Sequence, residues 1–116
     1  MNILQFYEKT GGDYAAVLSR LGSEAMIKRF VLKFANDPSF AELTEAFKKK
    51  DAETAFRAAH TLKGVCLNLG FDGLFQPAKA LTENLRPRTF SEQSEELYNA
   101  LAKEYHEVLH VLAEIE

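Results

Sequence analysis

The residue types and spacings best suited to chemistry lie in one stretch, Phe56-Arg57-Ala58-Ala59-His60-Thr61-Leu62-Lys63-Gly64-Val65-Cys66-Leu67-Asn68-Leu69-Gly70. Histidine offers an imidazole that is both nucleophilic and substantially neutral near neutral pH. On a helical wheel of about 100° per residue, Ala55, Ala58, Leu62, Val65 and Leu69 share one side, which reads as the core face. His60 falls opposite, in a stripe with Phe56, Gly64 and Leu67, and Arg57 and Lys63 flank it. The wheel therefore points His60 at solvent or at a partner. Gly64 follows one turn later in a helix interior, where glycine costs about 1 kcal/mol relative to alanine. The missing Cβ would leave room beside the imidazole for a bulky incoming group. Lys63 is placed to offset added negative charge, about −1.5 to −2 for a phosphorylated side chain. Phe56 and Leu67 surround the polar centre with apolar surface, as a docking site does. Each residue also has an ordinary structural reading: a glycine for close helix packing, a solvated lysine, a Phe56 covered by the N-terminal helix. Their coincidence around one outward histidine favours chemistry.

A second pattern competes. His106-Glu107-Val108-Leu109-His110 matches HExxH, in which two histidines one turn apart bind zinc and the glutamate activates water. The context does not support it. The chain runs only to Glu116, and Glu114, continuing the same helix, converges poorly on a tetrahedral ion. His106 and His110 also share the outer face with Asn99 and Lys103, so a solvated helix surface accounts for the match, and no metal site is expected. Cys66 reads as a small packed residue. Lys48-Lys49-Lys50 ends a helix where positive charge suits the macrodipole, and it could also steer an acidic partner.

The elements that would position His60 are all helical. Asn2 to Lys9 forms a short amphipathic segment, broken by Gly11-Gly12; Asp13 caps a short helix over Tyr14 to Arg20. Ser23 caps a segment with Ile27, Phe30, Val31 and Phe34 in helical register. Asp37-Pro38 predicts a restart, with Asp37 as N-cap and Phe40, Leu43 and Phe47 on the apolar side. Asp51 opens the longer helix Ala52 to Leu69 that carries His60, and Gly70 ends it. Asp72 is expected to cap the next helix, with Leu74, Ala78, Leu81 and Leu85 in line, Pro77 tolerated early and Pro87 closing it. Ser91 is expected to open the last helix, whose inward stripe is Leu97, Leu101, Val108, Leu112 and Ile115. No stretch alternates with period two for long enough to claim a strand. The fold class is therefore all-α: an antiparallel four-helix bundle with short N-terminal capping helices. The whole of 1–116 reads as one domain, with 1–22 as the short helices and 23–116 as the bundle.

AAHTLKGVCLNLG followed by FDGLFQPAKALTENLR resembles the histidine phosphotransfer (HPt) domain family, whose signature is an HxLKG-type segment. The likeness to stand-alone members extends over nearly the whole chain, through GGDYAAVLSRLGSEAMIKRFVLKFANDPSF and AELTEAFKKKDAETAFRAAHTLKG. The resemblance implies that His60 accepts a phosphoryl group from the aspartate of one receiver domain and passes it to another. It makes Lys63 the nearby cation and Gly64 the access position, with Phe56, Arg57 and Leu67 on the docking face. Val65-Cys66-Leu67 stands where small residues are common in the family, which would reshape that face. The implied partners are response-regulator receiver domains and a hybrid histidine kinase. Mg²⁺ is expected on the receiver, since this chain has no intrinsic cofactor and no acidic cluster around His60. The chain would then be a phosphoryl carrier and no autonomous enzyme.

Composition narrows the alternatives. A length of 116 residues suits one domain, and 47% hydrophobic residues with nine Phe can fill a core without staples. The single Cys excludes an internal disulfide. A net charge of −3 disfavours nucleic-acid binding, which needs a basic surface. The opening MNILQFYEKTGGDY has neither a basic start nor an apolar run long enough for export or membrane spanning. A cytoplasmic monomer is expected. The alternative is a helical adaptor that docks a receiver or kinase without carrying phosphate; the intact His60, Lys63 and Gly64 favour the carrier.

Overall fold

The local capping chemistry sets most helix starts. In the computed structural model, which describes residues 1–116, seven helices follow one another: α1 Ile3–Thr10, α2 Tyr14–Leu21, α3 Glu24–Phe34, α4 Ser39–Lys48, α5 Ala52–Leu69, α6 Asp72–Leu85 and α7 Ser94–Leu112, with no strand. Asn2 caps α1 in a reciprocal pair with Gln5. Asp13, Ser23 and Asp51 each accept from the backbone N–H three residues on, at the starts of α2, α3 and α5.

Three starts differ from the sequence reading. Asp37 is not the N-cap of α4; Pro38 is, and the Asp37 carboxylate instead accepts from the Ser39 N–H at 2.9 Å. Asp72 is the first residue of α6, with Phe71 at the cap, so its charge serves the helix dipole and makes no cap hydrogen bond. Ser91 lies three residues before α7, because its hydroxyl is drawn to α6. It accepts from Asn84 Nδ2 at 2.9 Å, while Ser94 Oγ donates to Asn84 Oδ1 at 2.6 Å. Those bonds fasten the α6–α7 connection.

α5 is the central element, packed along α4 and along α6, and α6 packs in turn along α7. Aromatic contacts bring α4 against α7: Phe40 stacks on Tyr105 with centroids 4.1 Å apart, and Phe47 meets Tyr98 at 4.7 Å. The residue order in those pairs runs in opposite senses along the two helices. Tyr105 is buried and fills the seam between Leu101 and Val108, whereas Leu97 and Ile115 are only partly covered. Leu43, Leu62, Leu81, Leu85 and Leu101 lose all solvent contact, each contributing about 1.5–3 kcal/mol of transfer free energy. Pro77 is accommodated inside α6.

The N-terminal helices finish the end of α5. A helix leaves its last carbonyls without intrahelical partners, and here each is met. Arg20 donates to Leu67 O at 2.9 Å and to Asn68 O at 3.1 Å, and the Tyr7 hydroxyl donates to Leu69 O at 2.5 Å. The Asp13 N–H reaches Gly70 O at 2.9 Å. Gly70 closes α5 in the left-handed region, φ 67°, where a Cβ would run into Val17 and the Asp13 carbonyl.

Candidate functional site

α5 starts firmly at Asp51. Its carboxyl is held below the usual carboxylate range by the Thr54 hydroxyl and backbone N–H, both of which donate to it. Eighteen helical residues then run to Leu69. The buried set on α5 is Ala55, Phe56, Ala58, Ala59, Leu62, Cys66 and Leu69. This arc is wider than the expected core face, because α5 is flanked by α4 and α6 on two sides. It also turns toward Cys66 and away from Val65, which is only partly covered. Burial pushes the Cys66 thiol up to about 12, helped by the negative charge of Asp37.

His60 is exposed near the middle of α5. Gly64, one turn on, has open space where its side chain would be: an added Cβ meets nothing within 4 Å. That observation removes the packing explanation of the glycine, since no neighbouring helix presses on it. Lys63 is half-buried and makes no ion pair within 4 Å; it adds to the attraction felt by Glu83 on α6, whose carboxyl is lowered mainly by the Arg86 hydrogen bond. Leu67 is 57% exposed, the most open of the large apolar side chains.

Phe56 departs from the expected docking role. It shares the His60 side of the helix yet is only 6% exposed. The N-terminal helix does not cover it. The cover comes from the residues after α6, with the Arg88 guanidinium 3.8 Å and that of Arg86 5.4 Å from the ring centroid. Phe56 therefore offers a partner little apolar surface. Arg57 is exposed, but its guanidinium is engaged by Glu53 at 2.6 Å, and Glu53 also holds Arg88 at 3.3 Å. Arg86 and Arg88 lie over Phe56 beside the candidate site, a placement the sequence does not announce. Their only local signal is two arginines around the helix-stopping Pro87, which says nothing about where the turn travels.

Beyond Gly64, an open cleft of about 370 Å³ separates α5 from α2 and α3, lined by Arg20, Phe30, Lys33, Asp37, Val65 and Asn68 among others. His106 and His110 are exposed on α7; His106 meets Phe40 and Tyr105 edge-on, and no group of three His, Cys, Asp or Glu is arranged to hold a metal ion.

The Hpt domain family model matches residues 34–114. The chain belongs to the Hpt domain family. Hpt domains serve histidine phosphotransfer in phosphorelay signalling, as phosphocarrier modules, and interact with receiver domains and kinases of two-component systems. The Hpt match takes in α4, α5, α6 and α7 whole, so the stretch around His60 lies well inside it, while α1 and α2 precede it. Comparison with curated proteins and with solved structures returns no match. No helix of this Hpt domain is long and apolar enough to cross a membrane.

Proposed function

We propose that His60 is the phosphoryl-accepting residue of this Hpt domain, taking the group from a receiver-domain aspartate and passing it to another. The observation that carries this reading is an exposed histidine at mid-helix followed, one turn later, by a glycine beside which nothing packs. That glycine costs the helix about 1 kcal/mol relative to alanine with no packing contact in return, and room for something that comes and goes accounts for it. The step balances simply. An imidazole nitrogen lone pair attacks phosphorus in line, the N–P bond forms, and the P–O bond to the aspartate breaks with the carboxylate as leaving group. Such transfers depend chiefly on positioning and on neutralising charge. Lys63, uncommitted to any ion pair, neutralises the phosphorylated ring. Leu67 and the open surface at Gly64 form the docking face, and Arg57 lies at its edge. The receiver is taken to supply Mg²⁺, because the carboxylates beside this face, Glu53 and Glu83, are already engaged by Arg57, Arg88 and Arg86.

We further assign 1–116 as one domain in which the short helices within 1–22 cap the end of α5 and 23–116 form the bundle, with α4–α7 as its antiparallel four-helix set. The protein is taken to act as a cytoplasmic monomer between receiver domains of response regulators and of a hybrid histidine kinase. The test is transfer from a receiver charged by a small-molecule phosphodonor and Mg²⁺, read by intact mass. One acid-labile phosphoryl adduct on the wild type and none on His60→Gln is the expected result. Binding without any adduct, across several receivers, would replace the carrier by an adaptor.

A further inference from the structure

We propose that Phe56 and Arg88 form a positioning stack that holds the His60 imidazole in one orientation for transfer, a role that rests on the reading of His60 as the acceptor. The Phe56 and His60 rings lie with centroids 5.9 Å apart and planes within 6° of parallel, an offset-stacked pair one helical turn apart. An exposed histidine on a helix ordinarily exchanges between rotamers. Here one face of the ring has a fixed plate beside it, because Phe56 is almost wholly buried.

Arg88 is what fixes the plate. Its guanidinium carbon sits 3.8 Å from the Phe56 centroid, close enough for a cation–π contact. The arginine is itself held from several directions. Its Nε pairs with Glu53 at 3.3 Å, its Nη1 donates to Arg86 O at 2.6 Å, and its backbone N–H donates to Leu85 O at 2.8 Å. Its backbone takes φ 62°, the left-handed region that a non-glycine residue enters at some strain. The strained turn after α6 brings Arg88 back over α5, and Glu53, one turn before Arg57 on α5, receives it. In-line attack requires the nitrogen lone pair to be aimed at phosphorus, and a ring pre-set in orientation reaches that geometry more often than a free one.

The test uses the full chain with Arg88→Ala, Arg88→Lys, Phe56→Leu and Phe56→Tyr. Two quantities are read: the His60 ring proton shifts, which carry the ring current of Phe56, and the single-turnover rate of phosphoryl transfer from a charged receiver. Arg88→Ala is expected to move the His60 ring signals toward those of a free histidine and to slow transfer by about threefold to tenfold. Phe56→Leu is expected to slow it on the order of tenfold or more, and Phe56→Tyr, which keeps the ring, to restore both readouts. Arg88→Lys is expected to restore less, since an ammonium lacks the planar guanidinium that stacks. Unchanged His60 shifts and unchanged transfer in Arg88→Ala would overturn the stack, and that exposed residue can be replaced without emptying the core even if Phe56→Leu fails to fold. A wild type that accepts no phosphoryl group overturns the acceptor reading itself, and this role with it.

Discussion

Gly64 allows stability and function to be separated by a single side chain. An added Cβ there meets nothing within 4 Å, and the residue does not adopt a positive φ. Gly64→Ala should therefore gain the helix propensity that glycine forfeits, about 0.8–1 kcal/mol, which for a chain of this size raises Tm by about 4 °C. Gly64→Gln should also be at least as stable as the wild type, because glutamine is a good helix former and nothing in the protein opposes it. Transfer should behave in the opposite way. The reacting atoms must come within about 3–3.5 Å, and a glutamine one turn from His60 stands in the path of the incoming receiver. A loss of at least tenfold in single-turnover transfer is expected for Gly64→Gln, about 1.4 kcal/mol of transition-state stabilisation, with a much smaller loss for Gly64→Ala. The assay pairs thermal unfolding with transfer from a charged receiver on the same preparations. A lower Tm for Gly64→Ala would show that the glycine serves the fold, and wild-type transfer by Gly64→Gln would refute the access argument.

Other perturbations separate the cap from the site. Gly70→Ala should destabilise by more than about 2 kcal/mol, since the left-handed φ of 67° and the Asp13 carbonyl 2.9 Å from the new Cβ both oppose it; denaturant unfolding that leaves the midpoint unchanged would contradict the cap geometry. Tyr7→Phe removes the donor to Leu69 O and should cost about 1–2 kcal/mol without altering phosphoryl transfer, as measured by urea unfolding beside the transfer assay. Cys66, pushed from an ordinary 9.0 up to about 12 by burial, should resist alkylation at pH 8 in the folded protein and react on unfolding. Its linkage has a definite sign. Below pH 9 both states keep the proton; between 9 and 12 the unfolded chain loses it first, so stability falls as pH rises, in the same direction as the raised Tyr7 and Tyr105. A Tm that held or rose across that window would contradict the burial of these groups.

The parts of the fold legible in the sequence are those whose chemistry is local. α5 has the expected span because both ends carry their own signals, the Asp51 cap and the left-handed Gly70. His60 faces outward as the helical period requires, and Gly64 and Leu67 lie on the open surface with it. The starts of α4, α6 and α7 shifted because Asp37, Asp72 and Ser91 found other uses for their side chains, and a cap residue is recognisable only as a type. Phe56 was misplaced for a different reason: its cover arrives from residues thirty positions later in the chain, along a turn whose path depends on the unusual backbone of Arg88. The four carbonyls at the end of α5 are likewise met by Tyr7, Asp13 and Arg20, pairings that no periodicity announces. Cys66 joins the buried face because two flanking helices widen the covered arc beyond that of a surface helix. Val65 is left partly open because it borders the cleft toward α2 and α3.

The central claim is that His60, of the three histidines in the chain, carries the phosphoryl group. Nitrogen-detected correlation spectra of the imidazoles of His60, His106 and His110, recorded before and after phosphorylation by a charged receiver, test it most directly. The expected result is a large shift with nitrogen–phosphorus coupling confined to His60. Coupling on His106 or His110, or unchanged imidazole signals while the receiver binds, would contradict the account.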